Sequence, residues 1–452
     1  MNAPRHYAVI GAGWAGCAAA VALAAGGHRV SLFEAARTLG GRARRVELDE
    51  RTLDNGQHIL LGAYRSTLAL MKQVGVDPAS ALLRLPLQMR YPLATGAEGM
   101  DFVAPRLPAP WHVAVALLRA KGLQREDKMA LARFSSTARW MGWQLHQDCS
   151  VAELLERYEQ TARLIRLMWR PLCIAALNTA PERASAQVFL NVLRDSLGAR
   201  RAASDMLLPR VDLGALLPDA AAAYLGKRGG LVQAGVAVAR LLPGNDEGSW
   251  RLEDRAAESL GEFAGVVLAT GPDAAAQLLE GLHDTALLQA LEHEPITTCY
   301  LQYPSGVRLP APFLALADDP QRQAWGQFVF DRGQLSGETG LLAVVVSAAG
   351  QAIAEGHAAL TAGITRQLAS DFGEAALATP GWSRVITEKR ATFACTPGLQ
   401  RPDNTGMPAG LALAGDYVAG DYPATLEGAV RSGCAVAQAL LSPHACHTPQ
   451  AQ

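Results

Sequence analysis

The 452-residue sequence has little charge and no long apolar run. Charged residues make up 18% of it and the formal net charge is −1, so no basic surface for nucleic acid is expected. A membrane-spanning helix needs about 20 consecutive apolar residues, and no uninterrupted run approaches that length. The sequence therefore predicts a protein that neither binds nucleic acid nor spans a membrane.

The chain also lacks the cysteine spacing of metal and redox sites. Its seven cysteines are scattered, and none stands in a C-x-x-C pair: Cys17, Cys149, Cys173, Cys299, Cys395, Cys434 and Cys446. No metal site and no redox pair are therefore expected. Reduced and buried thiols are typical of a cytoplasmic protein, which is the location that we expect.

A glycine-rich turn near the N-terminus is flanked by two apolar runs. The run Tyr7–Ile10 predicts a strand, residues 11–16 follow the pattern G-x-G-x-x-G, and the alanine-rich stretch Cys17–Ala25 predicts a helix. A second predicted strand, Arg29–Phe33, is followed at once by Glu34, 23 residues after the first glycine. This order and spacing are the fingerprint of a βαβ unit that binds a dinucleotide.

Each position of this turn has a physical role. Gly11 permits the tight turn, Gly13 lets the backbone approach a pyrophosphate, and Gly16 lets the helix lie close to the strand. The amides at the helix start then face the phosphates with the positive end of the helix dipole. Glu34 accepts a hydrogen bond from a ribose hydroxyl, which favours an adenosine without a 2′-phosphate. Neighbouring residues that are candidate cofactor contacts as well are Trp14, Ala15 and Ala35.

The segment after this acid contains a glycine pair followed by basic residues, Gly40-Gly41-Arg42-Ala43-Arg44. It resembles the G-G-R segment of flavoproteins of the amine oxidase and phytoene desaturase type, which continues along the pyrophosphate toward the flavin. The resemblance makes Gly41 and Arg42 candidate cofactor contacts, with Arg42 neutralising phosphate charge. The alternative is a solvated basic turn.

A polar segment, Leu53-Asp54-Asn55-Gly56-Gln57-His58, leads into the next apolar run. In the same flavoproteins a D-x-G segment at this place passes beside the isoalloxazine ring. The resemblance therefore implies that Gly56 and Gln57 contact the cofactor.

The C-terminal part carries a second signal of this kind. An apolar strand ends in Gly415 and Asp416, and an apolar helix begins near Ala424 and Thr425. In such flavoproteins this is the second half of the flavin site, in which Asp416 binds hydroxyl groups and the helix start directs its amides at the flavin or a phosphate. Two matching halves make FAD, rather than NAD, the expected cofactor. Because only one dinucleotide fingerprint is present, an external electron donor is needed.

The expected fold class is α/β, with a Rossmann-like FAD-binding domain of the glutathione-reductase type and an inserted α+β substrate domain. Half of the residues are hydrophobic and the chain is too long for one simple core, so two connected domains are expected. We assign residues 1–76, 226–286 and 385–452 to the FAD-binding domain. Residues 77–225 are predicted to be a mainly helical substrate domain, completed by residues 287–384. A helix is predicted from Gly229 to Leu242.

Nearly the whole chain resembles the hydroxysqualene dehydroxylases, also called squalene-associated FAD-dependent desaturases, of bacterial hopanoid synthesis. The segments that carry the resemblance are Leu53–Gly62, Trp169–Thr179, Glu388–Phe393 and Pro423–Glu427. The resemblance implies that hydroxysqualene, an apolar C30 allylic alcohol, becomes squalene with reduced FAD as hydride donor. An allylic C–O bond can ionise when an acid assists the leaving hydroxyl, so the protein must provide a dry channel and one proton donor.

Two residues are candidate proton donors. His58 stands in the segment expected beside the flavin ring and titrates near neutrality, although it can equally well hydrogen-bond the backbone or the flavin. Asp54 is the second candidate, and its alternative role is to bind its own backbone amides in a turn. Trp169 and Asn178 either line the substrate channel or pack and cap a helix, and packing is favoured for Trp169.

Two other functions use the same fold. One is an oxidative carotenoid-type desaturase that acts on phytoene or dehydrosqualene, and the other is a non-catalytic prenyl-binding protein like the GDP-dissociation inhibitors. The complete glycine and acid set at both ends of the chain argues against the second. The stretch Pro110–Lys121 predicts a helix that either lies on the inner face of the cell membrane or faces the core.

Overall fold

The computed structural model describes residues 3–92, 99–198 and 200–442. Cys446 lies outside these residues, and the other six cysteines are free thiols. The strands are β1 (His6–Ile10), β2 (Arg29–Glu34), β3 (Arg45–Leu48), β4 (Arg51–Asp54), β5 (Leu60–Leu61), β6 (Leu82–Leu85), β7 (Gln88–Arg90), β8 (Asp101–Val103), β9 (Met206–Pro209), β10 (Leu231–Ala234), β11 (Val238–Pro243), β12 (Trp250–Asp254), β13 (Ser259–Phe263), β14 (Gly265–Leu268), β15 (His293–Gln302), β16 (Phe313–Ala315), β17 (Phe328–Asp331), β18 (Leu341–Ser347), β19 (Trp382–Phe393) and β20 (Leu411–Leu413).

Helices alternate with these strands, and none within the described ranges is both long and apolar enough to cross a bilayer. They are α1 (Trp14–Ala25), α2 (Arg65–Gln73), α3 (Pro78–Ala81), α4 (Trp111–Arg119), α5 (Arg125–Trp140), α6 (Val151–Arg157), α7 (Ala162–Leu164), α8 (Arg170–Leu177), α9 (Ala186–Leu193), α10 (Leu213–Leu216), α11 (Pro218–Gly226), α12 (Pro272–Leu278), α13 (Ala286–Gln289), α14 (Arg332–Ser336), α15 (Gly350–Ala354), α16 (His357–Phe372) and α17 (Leu426–Leu441).

A parallel sheet in the order β10-β2-β1-β14-β20 forms the nucleotide-binding half of the molecule. Its strands come from sequence positions as far apart as 6 and 413, and the buried runs of β1 and β14 are apolar because helices or loops cover both faces. Helices α1, α11 and α17 pack together beside this sheet. The close approach of α1 and α17 depends on Gly433, where an added Cβ would lie 2.1 Å from the oxygen of Ala15.

The prediction of a helix from Gly229 to Leu242 is wrong. Residues in this stretch form the edge strand β10, which pairs with β2, and then β11, which begins a separate antiparallel sheet. Gly235 has a φ of +79° and separates the two strands. A run of aliphatic residues without polar periodicity fits a strand as well as a helix, and here pairing with β2 decides the outcome.

A second sheet, in the order β16-β17-β18-β15-β19, is antiparallel and is the central sheet of the second half of the molecule. One face packs against α16 through Leu360, Ile364 and Leu368. Its two longest strands, β15 and β19, pair along most of their length, and β18 pairs with the other edge of β15. Residues 77–225 contain the helices expected there, together with the short strands β6 to β9. This is the α/β fold that the sequence predicts, with a Rossmann-like half and a second α+β half.

Candidate active site

One continuous cavity of about 1010 Å³ connects the carboxyl ends of the parallel strands with the second sheet. Ligand pockets usually have volumes of about 300–1,000 Å³, so this cavity is at the upper limit and has room for a cofactor and a substrate. Among the residues singled out from the sequence, those that line it are Gly11, Gly13, Trp14, Ala15, Glu34, Ala35, Gly41, Arg42, Gly56, Gln57, His58, Trp169, Asn178, Gly415, Asp416, Ala424 and Thr425. Gly16 and Asp54 are not part of the lining.

The glycine turn between β1 and α1 forms one end of the cavity. A Cβ at Gly16 would lie 1.8 Å from the oxygen of Gly11, so only glycine lets α1 start this close to the strand. A Cβ at Gly13 would meet no protein atom nearer than Gly41 Cα at 3.9 Å. The space beside Gly13 is therefore open to the cavity, which is what close approach of a pyrophosphate requires.

Glu34 is held at the end of β2 by two backbone amides. Its Oε2 accepts a hydrogen bond from Ala12 N at 2.8 Å, and its Oε1 accepts one from Ala36 N at 2.9 Å. A carboxylate has about four lone-pair positions, so it can accept a further bond from a ribose hydroxyl. Val236 lines the cavity here and donates its amide hydrogen to the Glu34 carbonyl oxygen at 3.0 Å. Val236 was not a candidate from the sequence, because residues 229–242 were predicted to form a helix.

The segments from the two ends of the chain meet at an ion pair. Arg42 donates to the carboxylate of Asp416 and, through Nη1, to Ala391 O at 3.0 Å. Asp416 is only 8% exposed, so this pair stands in the cavity wall rather than in solvent. Next to it, Thr425 Oγ1 accepts a hydrogen bond from Gly428 N at 3.0 Å and caps the start of α17. Arg42 is therefore held by protein partners at the cavity and does not stand in a turn that is surrounded by solvent.

His58 faces the cavity from the loop after β4. Its Nδ1 lies 3.3 Å from the carbonyl oxygen of Gly56. Because a carbonyl oxygen only accepts, the neutral ring carries its proton on Nδ1 and leaves Nε2 as an acceptor. Burial lowers the pKa of His58, which the bond to Gly56 opposes. His58 therefore donates a proton to a substrate only after it has taken up a second one.

Asp54 has different surroundings from His58. Its Oδ1 accepts a hydrogen bond from Leu213 N at 2.8 Å, and its Oδ2 is 3.8 Å from Arg332 Nη1. Burial raises the pKa of Asp54 to about 6, against the lowering effect of the bond from Leu213. Its carboxyl group joins the loop to α10 and α14, and its placement outside the cavity lining does not suit a proton donor.

A buried network fixes the loop that carries His58. Gln57 Nε2 donates to Tyr300 Oη at 2.8 Å, and Tyr300 Oη donates to the carbonyl oxygen of Asp54 at 2.8 Å. Arg332 donates to Gln57 Oε1 at 3.3 Å and to Glu338 Oε2 at 3.0 Å. Gln57 therefore uses both ends of its amide group to attach the loop to β15 and α14.

Trp169 and Asn178 line the far part of the cavity and are also structural. Trp169 Nε1 donates to Gln160 Oε1 at 2.9 Å, and its ring contacts Phe134 at 4.9 Å between centroids. Asn178 ends α8 in the left-handed conformation with a φ of +48°. Its amide binds Thr392 Oγ1 at 2.9 Å, Glu294 O at 3.1 Å and Ala348 N at 2.6 Å. Trp169 therefore packs against its neighbours and Asn178 caps α8, and both residues also line the cavity.

The part of the cavity beyond His58 is lined mainly by apolar side chains. They come from β7, β8, α5, residues 165–169, α8 and the second sheet, among them Met89, Phe102, Leu131, Met168, Leu172, Phe313, Phe328, Phe330 and Val345. Near Thr425, a polar pair that sequence analysis missed also lines the cavity: Tyr422 Oη donates to Asp195 Oδ2 at 2.8 Å. These residues are 227 positions apart, and nothing in their local sequence indicates that they meet.

The residues present fit FAD. The open space beside Gly13, the start of α1 and the acid at the end of β2 suit an adenosine diphosphate, and the cavity continues from there to Thr425 and to the His58 loop. The described part of the chain thus contains both halves of the site that the sequence predicts.

Comparisons with known proteins agree with this geometry. The chain matches the family of flavin containing amine oxidoreductases over residues 14–441. Hydroxysqualene dehydroxylase of Rhodopseudomonas palustris is 30% identical, and the alignment covers 96% of this chain and 98% of the relative. The enzyme of the same name from Sinorhizobium fredii is 28% identical, with 97% and 99% covered.

Among solved structures, cyclohexylamine oxidase from Brevibacterium oxydans superposes with a TM-score of 0.67 over 97% of this chain and 99% of its own. The two sequences are 19% identical, so this likeness shows a shared fold and nothing about function. The chain therefore belongs to the flavin containing amine oxidoreductase family, in the group of the hydroxysqualene dehydroxylases, and is an FAD-dependent oxidoreductase.

Proposed function

We propose that this enzyme removes the hydroxyl group of hydroxysqualene reductively and releases squalene. The observation that carries the proposal is the continuity of the cavity, which passes from the dinucleotide end to a chamber lined by apolar side chains. A C30 isoprenoid matches such a chamber because apolar surface leaves water with a favourable free energy. The names of the full-length relatives support the same substrate.

The cofactor is proposed to lie along the glycine turn and between the two halves of the site. Its adenosine end contacts Gly11, Gly13, Trp14, Ala15, Glu34 and Ala35, and the remainder contacts Gly41, Arg42, Gly56, Gln57, Gly415, Asp416, Ala424 and Thr425. When bound and reduced, FAD supplies the hydride that replaces the hydroxyl group. An external electron donor is then needed for each turnover.

The side chains around the substrate have three tasks. The apolar lining excludes water, so that an ionised carbon is not captured by solvent. His58, in its doubly protonated form, gives a proton to the departing hydroxyl group. Gln57 and its partners hold the loop of His58 against the second sheet.

We further propose that the enzyme is cytoplasmic and contacts the membrane surface through α4 and α5. Trp111 and Leu118 of α4 are 64% and 72% exposed, while Val113 of the same helix lines the cavity. Trp140, at the end of α5, is 88% exposed. These exposed apolar side chains, with Arg119 in the last turn of α4, suit an anionic bilayer in which the substrate is concentrated.

Flotation with anionic liposomes tests the membrane contact. The wild-type protein is expected to rise with the vesicles, and the Trp111→Ser variant combined with Leu118→Ser is expected to rise less. Wild-type protein that stays at the bottom of the gradient at low and high salt alike contradicts this contact.

Anaerobic incubation of photoreduced protein with hydroxysqualene tests the proposed reaction. Squalene and oxidised flavin in equal amounts are expected. The oxidative alternative is tested in parallel with oxidised protein and phytoene or dehydrosqualene. Formation of a desaturated product there, without squalene in the first arm, would replace our proposal by a carotenoid-type desaturation.

A further inference from the structure

Three phenylalanines stand together on the face of the second sheet that lines the cavity. Phe313 and Phe330 are paired across β16 and β17, and Phe328 lies two residues before Phe330 on the same face. The rings of Phe313 and Phe328 are stacked with centroids 5.4 Å apart and planes 17° apart, and Phe313 is 5.1 Å from Phe330. We call Phe313, Phe328 and Phe330 the aromatic wall.

The aromatic wall lies beside the loop of His58. Strand register places Phe328 opposite Val345 and Val345 opposite Thr298. Neighbouring strands are about 4.8 Å apart, so the backbone of Phe328 is about 10 Å from that of Thr298. Thr298 Oγ1 is in turn 3.9 Å from the position of a Cβ on Gly56, two residues before His58. His58 and the wall line the same cavity, so we place the hydroxyl group of the substrate at His58 and its allylic carbons toward the wall.

The carboxylates that line the cavity are already engaged. Four of them are paired with arginines, namely Asp195 with Arg194, Asp273 with Arg390, Glu388 with Arg44 and Asp416 with Arg42. The fifth, Glu34, accepts hydrogen bonds from two backbone amides. Among the described residues of the lining, no carboxylate is left without a partner to neutralise a positive charge on the substrate.

We propose that the aromatic wall stabilises the allylic cation of the dehydroxylation through its ring faces. This inference rests on the proposed function. The C–O bond breaks with both electrons remaining on oxygen, the oxygen takes a proton from His58 and departs as water, and the carbon left positive receives the hydride that reduced FAD supplies. The electron-rich faces of the wall attract the cation more strongly than the neutral alcohol, so they lower the barrier to ionisation.

Fluorinated phenylalanine at position 328 tests the inference with little change in side-chain volume. Phe328 is the most exposed ring of the wall, at 7% against 1% for Phe313 and 3% for Phe330. Successive fluorine atoms withdraw electron density from the ring face, so the single-turnover rate with photoreduced enzyme is expected to fall stepwise, by about tenfold for trifluorophenylalanine. Squalene binding, measured through the flavin absorbance, is expected to stay within about twofold because the product carries no charge.

Phe134 provides the matched control. Its ring contacts Trp169 edge to face and is not part of the cavity lining, so its fluorination is expected to leave the rate unchanged. If the fluorinated residue at 328 prevents folding, the same fluorination series at Phe330, measured by the same single-turnover rate, tests the inference instead. A rate that does not depend on fluorine number, in an enzyme that forms squalene, overturns this inference and leaves the proposed function intact. Wild-type enzyme that forms no squalene overturns the proposed function instead.

Discussion

His58 and Asp54 are four positions apart, and the fold gives their side chains opposite surroundings. His58 borders the cavity, whereas the Asp54 carboxyl group turns toward Leu213 and Arg332. Burial acts on both, but it lowers the pKa of the histidine and raises that of the acid, because it disfavours the charged form of each. Both residues were candidates from the sequence, which does not show which of the two side chains faces the cavity.

Replacing His58 by Ala is expected to slow squalene formation by about 10²–10⁴-fold while FAD stays bound. The reason is the loss of the proton donor, since Asp54, the other candidate, is not part of the cavity lining. Single-turnover oxidation of the reduced flavin measures the effect. The His357→Ala variant, altered at an exposed histidine at the start of α16, is the control and should match the wild type.

The pH dependence of the same reaction gives a second measurement of His58. The donating form is the doubly protonated ring, and burial lowers its pKa from the usual 6.5. The single-turnover rate should therefore be highest at acidic pH and fall as the pH rises through this lowered value. A wild-type rate that is constant from pH 5 to pH 8 contradicts the assignment and points to water or the flavin as the proton source.

Asp54 is expected to matter for stability rather than for chemistry. Asp54→Asn keeps an acceptor for Leu213 N and should retain most of the wild-type turnover. Asp54→Ala leaves that buried amide without its partner and should lower the free energy of unfolding by about 1–3 kcal/mol. Urea unfolding and single-turnover assays separate the two effects. A loss of about 100-fold in turnover in a stable Asp54→Asn protein would restore Asp54 as the proton donor.

At the scale of elements, the loop after β4 is attached to the second sheet by the hydroxyl group of Tyr300. This group receives a hydrogen bond from the side-chain amide of Gln57 and donates one to the backbone oxygen of Asp54, and it thereby attaches the chain on the N-terminal side of His58 to β15. The loop and β15 are far apart in sequence, so the attachment depends on the arrangement of the two domains. Only the structure could reveal it.

Tyr300→Phe is expected to reduce turnover as well as stability. The change removes both hydrogen bonds and lets the loop move, so the single-turnover rate should fall while FAD remains bound. Tyr303→Phe is the matched control, because Tyr303 Oη donates to a buried carbonyl oxygen, Leu377 O, at 2.7 Å in the cluster on the other side of the sheet. Both variants are expected to lose stability, but only Tyr300→Phe is expected to lose rate. Equal rates in both variants would reduce the Tyr300 network to a purely structural role.

The stretch from Gly229 to Leu242 illustrates what sequence patterns do not decide. Its aliphatic residues were compatible with a helix, but β2 offers an edge at which Leu231–Ala234 can complete backbone hydrogen bonds. The turn that begins α1 was predictable because its spacing, glycine positions and acid are all local. Two pairings in the site, Arg42 with Asp416 and Tyr422 with Asp195, could not be predicted from the sequence, since each joins residues more than 200 positions apart.

At the scale of the whole molecule, the site is assembled from both ends of the chain. Strands β1 and β2 supply one wall, β20 and α17 supply another, and the Arg42–Asp416 pair connects them across 374 positions. The family and the cofactor were predictable because each end carries its own local motif. The apolar chamber was not, because its lining comes from several distant elements that share no pattern.

A cofactor that contacts both ends should stabilise the entire fold. At a free concentration 100 times its Kd, a ligand adds about 2.7 kcal/mol to the free energy of unfolding, so FAD is expected to raise Tm clearly. Gly13→Val separates cofactor binding from folding, because a Cβ there points into the cavity and meets no protein atom within 3.9 Å. We expect this variant to fold, to contain no FAD and to show the same Tm with and without added FAD.

Gly16→Val is the contrasting variant, because its Cβ would lie 1.8 Å from Gly11 O and would push α1 away from the sheet. It should lower Tm below that of the wild-type apoprotein, whereas Gly13→Val should match that apoprotein. Differential scanning fluorimetry, with flavin released by denaturation measured in parallel, makes the comparison. If Gly13→Val retains FAD with wild-type affinity, the pyrophosphate does not pass this turn, and the proposed placement of the cofactor is wrong.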